Sequence, residues 1–206
     1  MMKNIRYNII NFLKQHWGVL SIVLVSVIAF IPVENFVSDY NYSDSAYSTI
    51  GACFQTYLNH DYYTYFTAIF VHTSWVHLIT NMVVLLFAGL VVDQYFSNVT
   101  FWYYYIFANV LSIGISSLFY RNDVLAGASG GIFAILIFAM WIVLASAIDA
   151  GNLKSLGVWF YLSLELALLI SGFETGQNLA IGTHLVGLII GVLTIIYSIL
   201  EAKFSK

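Results

Sequence analysis

Six apolar runs decide what this chain can fold into: about 17–33, 76–92, 99–120, 130–148, 156–172 and 179–200. The first, Trp17 to Val33, holds about 17 residues, the short end of what crosses hydrocarbon. The rest of the chain cannot keep such runs in water. Only 8% of the residues are charged and 61% are hydrophobic, whereas soluble domains carry about 25% charged residues. The expectation is an all-α polytopic membrane protein. No repeat or low-complexity segment is visible, so it reads as one domain: a short segment 1–16, a six-span core 17–200 with a long first loop 34–75, and a tail 201–206.

Lys3, Arg6 and Lys14 precede the first run, as in a signal peptide. Ile31-Pro32-Val33-Glu34 lacks the small-residue cleavage pattern, however, and the run is read as a retained span. From Glu34 to about Trp75 the chain turns polar and aromatic, with Asp39, Asp44 and Asp61 among Tyr40, Tyr42, Tyr47, Tyr57, Tyr62 and Tyr63. Tyrosine favours the headgroup level, so a long, partly interfacial loop with short helices is expected. Six spans put both termini on one side. With the N-terminus inside, six of the seven basic residues, all but Arg121, fall on inner segments. The positive-inside rule therefore predicts that both termini are cytoplasmic, and the lean chain suggests a cell-membrane protein. Asp93 and Asp149 are then expected as solvated caps at inner span ends, and mid-span Glu165 as a bundle-facing carboxyl. A net charge of −3 without a basic run argues against a nucleic-acid partner. The single cysteine, Cys53, excludes an intramolecular disulfide and a cysteine-rich metal site. The five histidines contain no H-E-x-x-H, and neither a metal nor a cofactor is expected.

Gly127-Ala128-Ser129-Gly130-Gly131 follows the polar break Arg121-Asn122-Asp123 and opens the run from Ile132 to Ile148. A serine between small residues at the mouth of an apolar helix is exposed enough to be a nucleophile, and the glycines let another backbone come close. The pattern also fits G-x-S-x-G of soluble hydrolases, but that reading needs a preceding strand in an alternating α/β chain. Small residues at a helix end also serve packing alone. His184 lies about five residues into the sixth run. At about 1.5 Å per residue it shares a shallow depth with Ser129, below the outer surface. His77 and Asn81, four apart on one helix face, lie at the outer end of the second run. Strongly polar residues inside spans are functional by default. Each alone could be a packing hydrogen bond; together at the outer ends they favour a shared polar pocket. Ser129 and His184 supply a nucleophile and a general base. Asn81, with His77 beside it, can donate to an oxyanion together with the Ser129 backbone N–H. No third residue orienting the base is evident, since Asp123 and Glu174 lie in outer loops at no compelling spacing. Water would reach the pocket past His72, Ser74, Thr183, Gln177 and Asn178.

In these residues the chain resembles the rhomboid family of intramembrane serine proteases. Gly127-Ala128-Ser129-Gly130 matches that family's G-x-S-G. His184, followed by Gly187 and Gly191, matches its sixth-span histidine and glycine ladder. His72, His77 and Asn81 match its H-x(4)-H-x(3)-N at the second span. The resemblance covers about 66–200 and implies a six-transmembrane-helix rhomboid-like bundle. It makes Ser129 the nucleophile and His184 the base, puts His77 and Asn81 at the oxyanion, and gives His72, Gly127, Gly130, Phe133 and Gly187 supporting places. There are departures. Tyr63-Thr64 stands where many members carry Trp-Arg, Thr183 replaces a frequent alanine, and Phe133 stands where some members carry a tyrosine that packs against the histidine. The implied activity is hydrolysis of peptide bonds in or near the transmembrane helices of client proteins in the lipid bilayer, without a cofactor. Clients would enter past the fifth span, with Trp159-Phe160-Tyr161 as a gate. The alternative is a catalytically inactive rhomboid-like protein that binds membrane clients, but such proteins usually lose the serine or the histidine, and both are here. A small transporter would place polar groups at mid-depth, whereas these cluster at outer ends.

Overall fold

A computed structural model describes residues 2–39, 49–121, 123–174 and 178–204. Its helices are α1 (Met2–Gln15), α2 (Trp17–Asp39), α3 (Phe54–Leu58), α4 (Tyr63–Thr67), α5 (Trp75–Val92), α6 (Asn98–Phe119), α7 (Ser129–Asp149), α8 (Leu156–Glu174) and α9 (Asn178–Phe204), with a 3₁₀ turn at Ala68–Phe70. The protein is nearly all helical. Among the described residues, five helices are long and apolar enough to cross a membrane: α2, α5, α6, α7 and α9. A further helix, α8, occupies the fifth apolar run. The side chains of Glu165, Glu174 and Asn178, and the whole of Gln177, lie outside the described residues, as do residues 40–48 of the first loop.

The span starts are set locally. Ser74 and Ser97 stand just before α5 and α6, and their hydroxyls accept the N–H of His77 and of Thr100, each at 3.1 Å. An accepting side chain at that position satisfies one of the four N–H groups a helix start leaves without a partner. α2 runs past Val33, through Pro32, to Asp39. A membrane helix tolerates such a proline because its surroundings re-satisfy the freed carbonyl.

α7 is the central helix. Gly130 to Leu136, Phe138, Ala139 and Ile142 are buried, and it packs against α5, α6, α8 and α9. A helix apolar all round belongs inside. α2 and α9 instead turn Leu24, Ile28, Leu193 and Ile196 outward, where lipid is the favourable solvent.

The first loop folds back onto the bundle. Ala52 and Leu125 exchange both backbone hydrogen bonds, at 2.9 and 2.8 Å, and the Gly127 N–H donates to the Ala68 carbonyl at 2.9 Å. Thr64, at the departure from Trp-Arg, is buried, with its Oγ1 2.7 Å from the Asp61 carbonyl and 3.1 Å from Thr56 Oγ1. The Tyr65 hydroxyl donates to the Cys53 carbonyl at 2.9 Å and lies 3.0 Å from Ser117 Oγ on α6. Short hydroxyls thus anchor the loop.

One expectation is corrected at the other end of α5. Asp149 is exposed, but Asp93 is buried rather than solvated. Its carboxylate takes His16 Nδ1 at 2.9 and 3.0 Å. Burial pushes the Asp93 carboxyl above the usual carboxylate range, against the opposing pull of His16. A buried carboxylate needs such a partner, and the sequence did not reveal one 77 positions away.

Candidate active site

Ser129 is the first residue of α7 and is half-buried. Ala128 before it makes no side-chain cap. The cap comes from α6 instead: the Gly131 N–H donates to Asn109 Oδ1 at 2.8 Å, and Asn109 Nδ2 donates to the Tyr105 carbonyl at 2.9 Å. Asn109 is fully buried. It holds the start of α7 from the side and leaves the Ser129 N–H among the groups at a helix start that have no intrahelical acceptor. Nothing in the spacing of the α6 run singled it out.

Gly127 and Gly130 are required by geometry. Gly127 sits at φ +115°, where only glycine is at ease, and a Cβ there would stand 3.0 Å from His77 Cε1 and 3.1 Å from Nε2. His77 therefore lies directly on the turn that leads into Ser129. A Cβ on Gly130 would stand 2.6 Å from Ser112 Cβ and 3.5 Å from the Thr183 carbonyl oxygen. The residue after Ser129 thus faces the residue before His184.

α7 and α9 approach so closely because the facing residues lack side chains. A Cβ on Gly187 would overlap the Gly130 carbonyl oxygen and stand 3.1 Å from Phe133 Cβ. One turn on, a Cβ on Gly191 would overlap Ile137 Cγ2 and stand 2.8 Å from the Ala134 carbonyl oxygen. Small residues permit such backbone contact between membrane helices. Phe133, four residues after Ser129 and so on the same face, stacks on the His184 imidazole at a centroid distance of 4.1 Å and 6°. His184 is buried. Ser129 and His184 accordingly flank one α7–α9 contact.

The histidine pair of the second motif stands across from them. His72 and His77 meet edge to face at 5.0 Å, and His77 Nδ1 is 3.2 Å from the Thr73 hydroxyl. His72, in the loop before α5, is fully buried, and its Nδ1–H donates to the Phe70 carbonyl at 3.2 Å. Burial, and then the neighbouring His77, push its pKa down to about 3. Such a shift favours the neutral ring. Asn81 is buried one turn beyond His77, and its Nδ2 has no hydrogen-bond partner among the described residues. A buried donor left without a protein acceptor is costly. Of the residues expected to line a water path, Ser74 is exposed at the start of α5, whereas His72 and Thr183 are buried. Among the described residues no group of three or more His, Cys, Asp and Glu is gathered to hold a metal.

A helical membrane bundle whose paired glycine helices carry a serine at the mouth of one and a buried histidine on the other defines a class of protein, and comparison with known sequences gives the family. Residues 59–201 match the Rhomboid domain, and the chain belongs to the rhomboid family. It is similar to RHOMBOID-like protein 1 of Arabidopsis thaliana, 34% identical over 77 residues, which are 37% of this chain and 20% of that protein. It is also similar to Rhomboid-like protein 11, chloroplastic, of the same plant, 34% identical over 88 residues, 41% of this chain and 31% of that protein. The match therefore spans between a fifth and a third of these relatives' own length.

Proposed function

We propose that this chain is an intramembrane serine endopeptidase that cuts client proteins in or near their transmembrane helices. The observation that carries the reading is the Phe133–His184 stack at 4.1 Å beside the Gly130–Gly187 backbone contact, which sets the imidazole next to the start of α7. His184 takes the Ser129 hydroxyl proton as Oγ attacks the scissile carbonyl carbon, then gives it to the leaving amine as the C–N bond breaks. Water, activated by the same imidazole, hydrolyses the acyl-serine. Asn81 Nδ2, His77 and the Ser129 N–H donate to the oxyanion. The two termini face the cytoplasm, and the site opens on the opposite side.

A helical client presents carbonyls that are already hydrogen-bonded, so its backbone must unwind where water reaches it. In hydrocarbon each unpaired group costs several kcal/mol. Clients with Gly or Pro near the outer end of a span are preferred, because these residues favour unwinding by about 1 and 3 kcal/mol relative to Ala. Clients enter beside α8. Its aromatic start stands at the end of the bundle away from Ser129, with Tyr161 stacked on Phe87 at 4.8 Å and Trp159 Nε1–H donating to the Leu153 carbonyl at 2.6 Å. That end is the pivot on which α8 tilts, rather than the gate. The test is a reconstituted client carrying Gly in the outer third of its span, beside an all-Leu counterpart of equal length. Faster cleavage of the first, abolished by Ser129→Ala, is expected; retained turnover in purified Ser129→Ala overturns the assignment. The second reading, an inactive client-binding member, predicts no turnover by the wild type.

A further inference from the structure

α1 is not simply the beginning of α2. The i→i−4 ladder continues across His16 at two places, His16 N–H to Phe12 and Leu20 N–H to His16, at 3.0 and 3.1 Å. Between them, Asn98 at the start of α6 breaks in. Its Oδ1 accepts the Gly18 N–H at 2.7 Å, and its Nδ2 donates to the Gln15 carbonyl at 3.1 Å. A side chain inserted into the ladder is a recognised cause of a helix bend. Glycine admits it, since a Cβ at Gly18 would stand 2.9 Å from Asn98 Oδ1. His16, held on Asp93 and touched by the Phe12 ring at 4.7 Å, fixes the same corner. The direction in which α1 leaves the bundle is therefore set by α5 and α6.

Held there, α1 keeps the apolar side chains from Tyr7 to Leu13 out of the bundle. Tyr7, Ile9, Ile10, Phe12 and Leu13 are between 39% and 66% exposed, too many for a helix in water. Ile9, Phe12 and Leu13 follow the i, i+3, i+4 spacing of one face, while Asn8, Asn11 and Gln15 lie on another. The helix carries Lys3, Arg6 and Lys14 and no acidic residue. It ends where the α2 span begins, at half-exposed Trp17, a residue type at home in the headgroup layer. Two copies pairing through this face would bring like charges together. An anionic lipid surface instead matches both the apolar face and the cations.

We propose that α1 lies on the membrane surface at the end of the bundle opposite Ser129, with Ile9, Phe12 and Leu13 in the acyl boundary and its cations on anionic lipid headgroups. The test uses the full chain with Cys53→Ala and a single polarity-sensitive label at Ile9→Cys or Asn11→Cys, in nanodiscs of phosphatidylcholine with or without phosphatidylglycerol. The label at 9 should be blue-shifted and quenched by lipid-borne nitroxides. The label at 11 should be quenched by aqueous iodide. Phosphatidylglycerol should deepen the contrast, and Lys3→Gln, Arg6→Gln and Lys14→Gln together should remove that gain. Equal iodide access at 9 and 11 in anionic nanodiscs overturns the proposal. So does a shielded label at 9 that lipid nitroxides do not reach, the result expected of a second copy or another protein. Shielding indifferent to phosphatidylglycerol overturns the headgroup assignment.

Discussion

Asn81 poses the sharpest question at the scale of single residues, because a protein gains nothing in stability from a buried amide nitrogen without an acceptor. If that donor serves the oxyanion, Asn81→Ala should slow client cleavage by about 10²–10³. It should leave thermal unfolding unchanged or raised and leave covalent labelling of Ser129 detectable. A drop in unfolding temperature with an unchanged rate would assign Asn81 to packing instead. His72 makes a prediction in pH. Folded, its pKa is pushed from 6.5 down to about 3; unfolded, it takes up its proton as the pH falls through 6.5. The unfolded chain then binds more protons between these values, so stability declines as pH drops from about 6.5 towards 3. Wild type should lose more unfolding temperature between about pH 7 and pH 5 than His72→Gln does. Parallel losses would show that the His72 ring is not what titrates.

Among the elements, the α7–α9 pair decides how closely Ser129 and His184 approach. A Cβ at Gly187 overlaps the Gly130 carbonyl, whereas one at Gly114 meets nothing within 4 Å. Gly187→Ala should therefore destabilise by about 1–3 kcal/mol, as overpacking does, and sharply reduce cleavage. Gly114→Ala, within α6, should be neutral or stabilising by about 0.5–1 kcal/mol. Thermal unfolding of the two variants checks both, and similar behaviour would mean that the close approach is not needed. The apolar runs and the short helices of the first loop were legible because each belongs to a local pattern; Ser129, His77, Asn81 and His184 were singled out by an i, i+4 pair and a glycine spacing, and Phe133, which stacks on His184, by the family resemblance alone. What was not legible depends on pairing between distant segments. Asn109 caps α7 from 22 positions away, and Asn98 reaches Gln15 across 83. Asp93 looked like a solvated cap because nothing near it in the chain announces His16.

On the scale of the whole molecule, α7 stands at the centre, the first loop closes over its serine end, and α1 bends away at the other end. The proposed orientation makes the two ends chemically different. Cysteines placed at 122 and 175 in a Cys53→Ser background should react with impermeant reagent from outside the cell, and one at 152 only from inside; the reverse pattern would put the site on the cytoplasmic face. The central claim is that Ser129 is a nucleophile activated by His184. The most direct measurement is reaction of the purified wild-type protein with a fluorophosphonate probe, followed by mapping of the adduct by mass spectrometry. A single adduct on Ser129 is expected, lost in Ser129→Ala and strongly reduced in His184→Ala while both variants unfold near the wild-type temperature. An unlabelled wild type, or an adduct that persists when Ser129 is removed, would contradict the account.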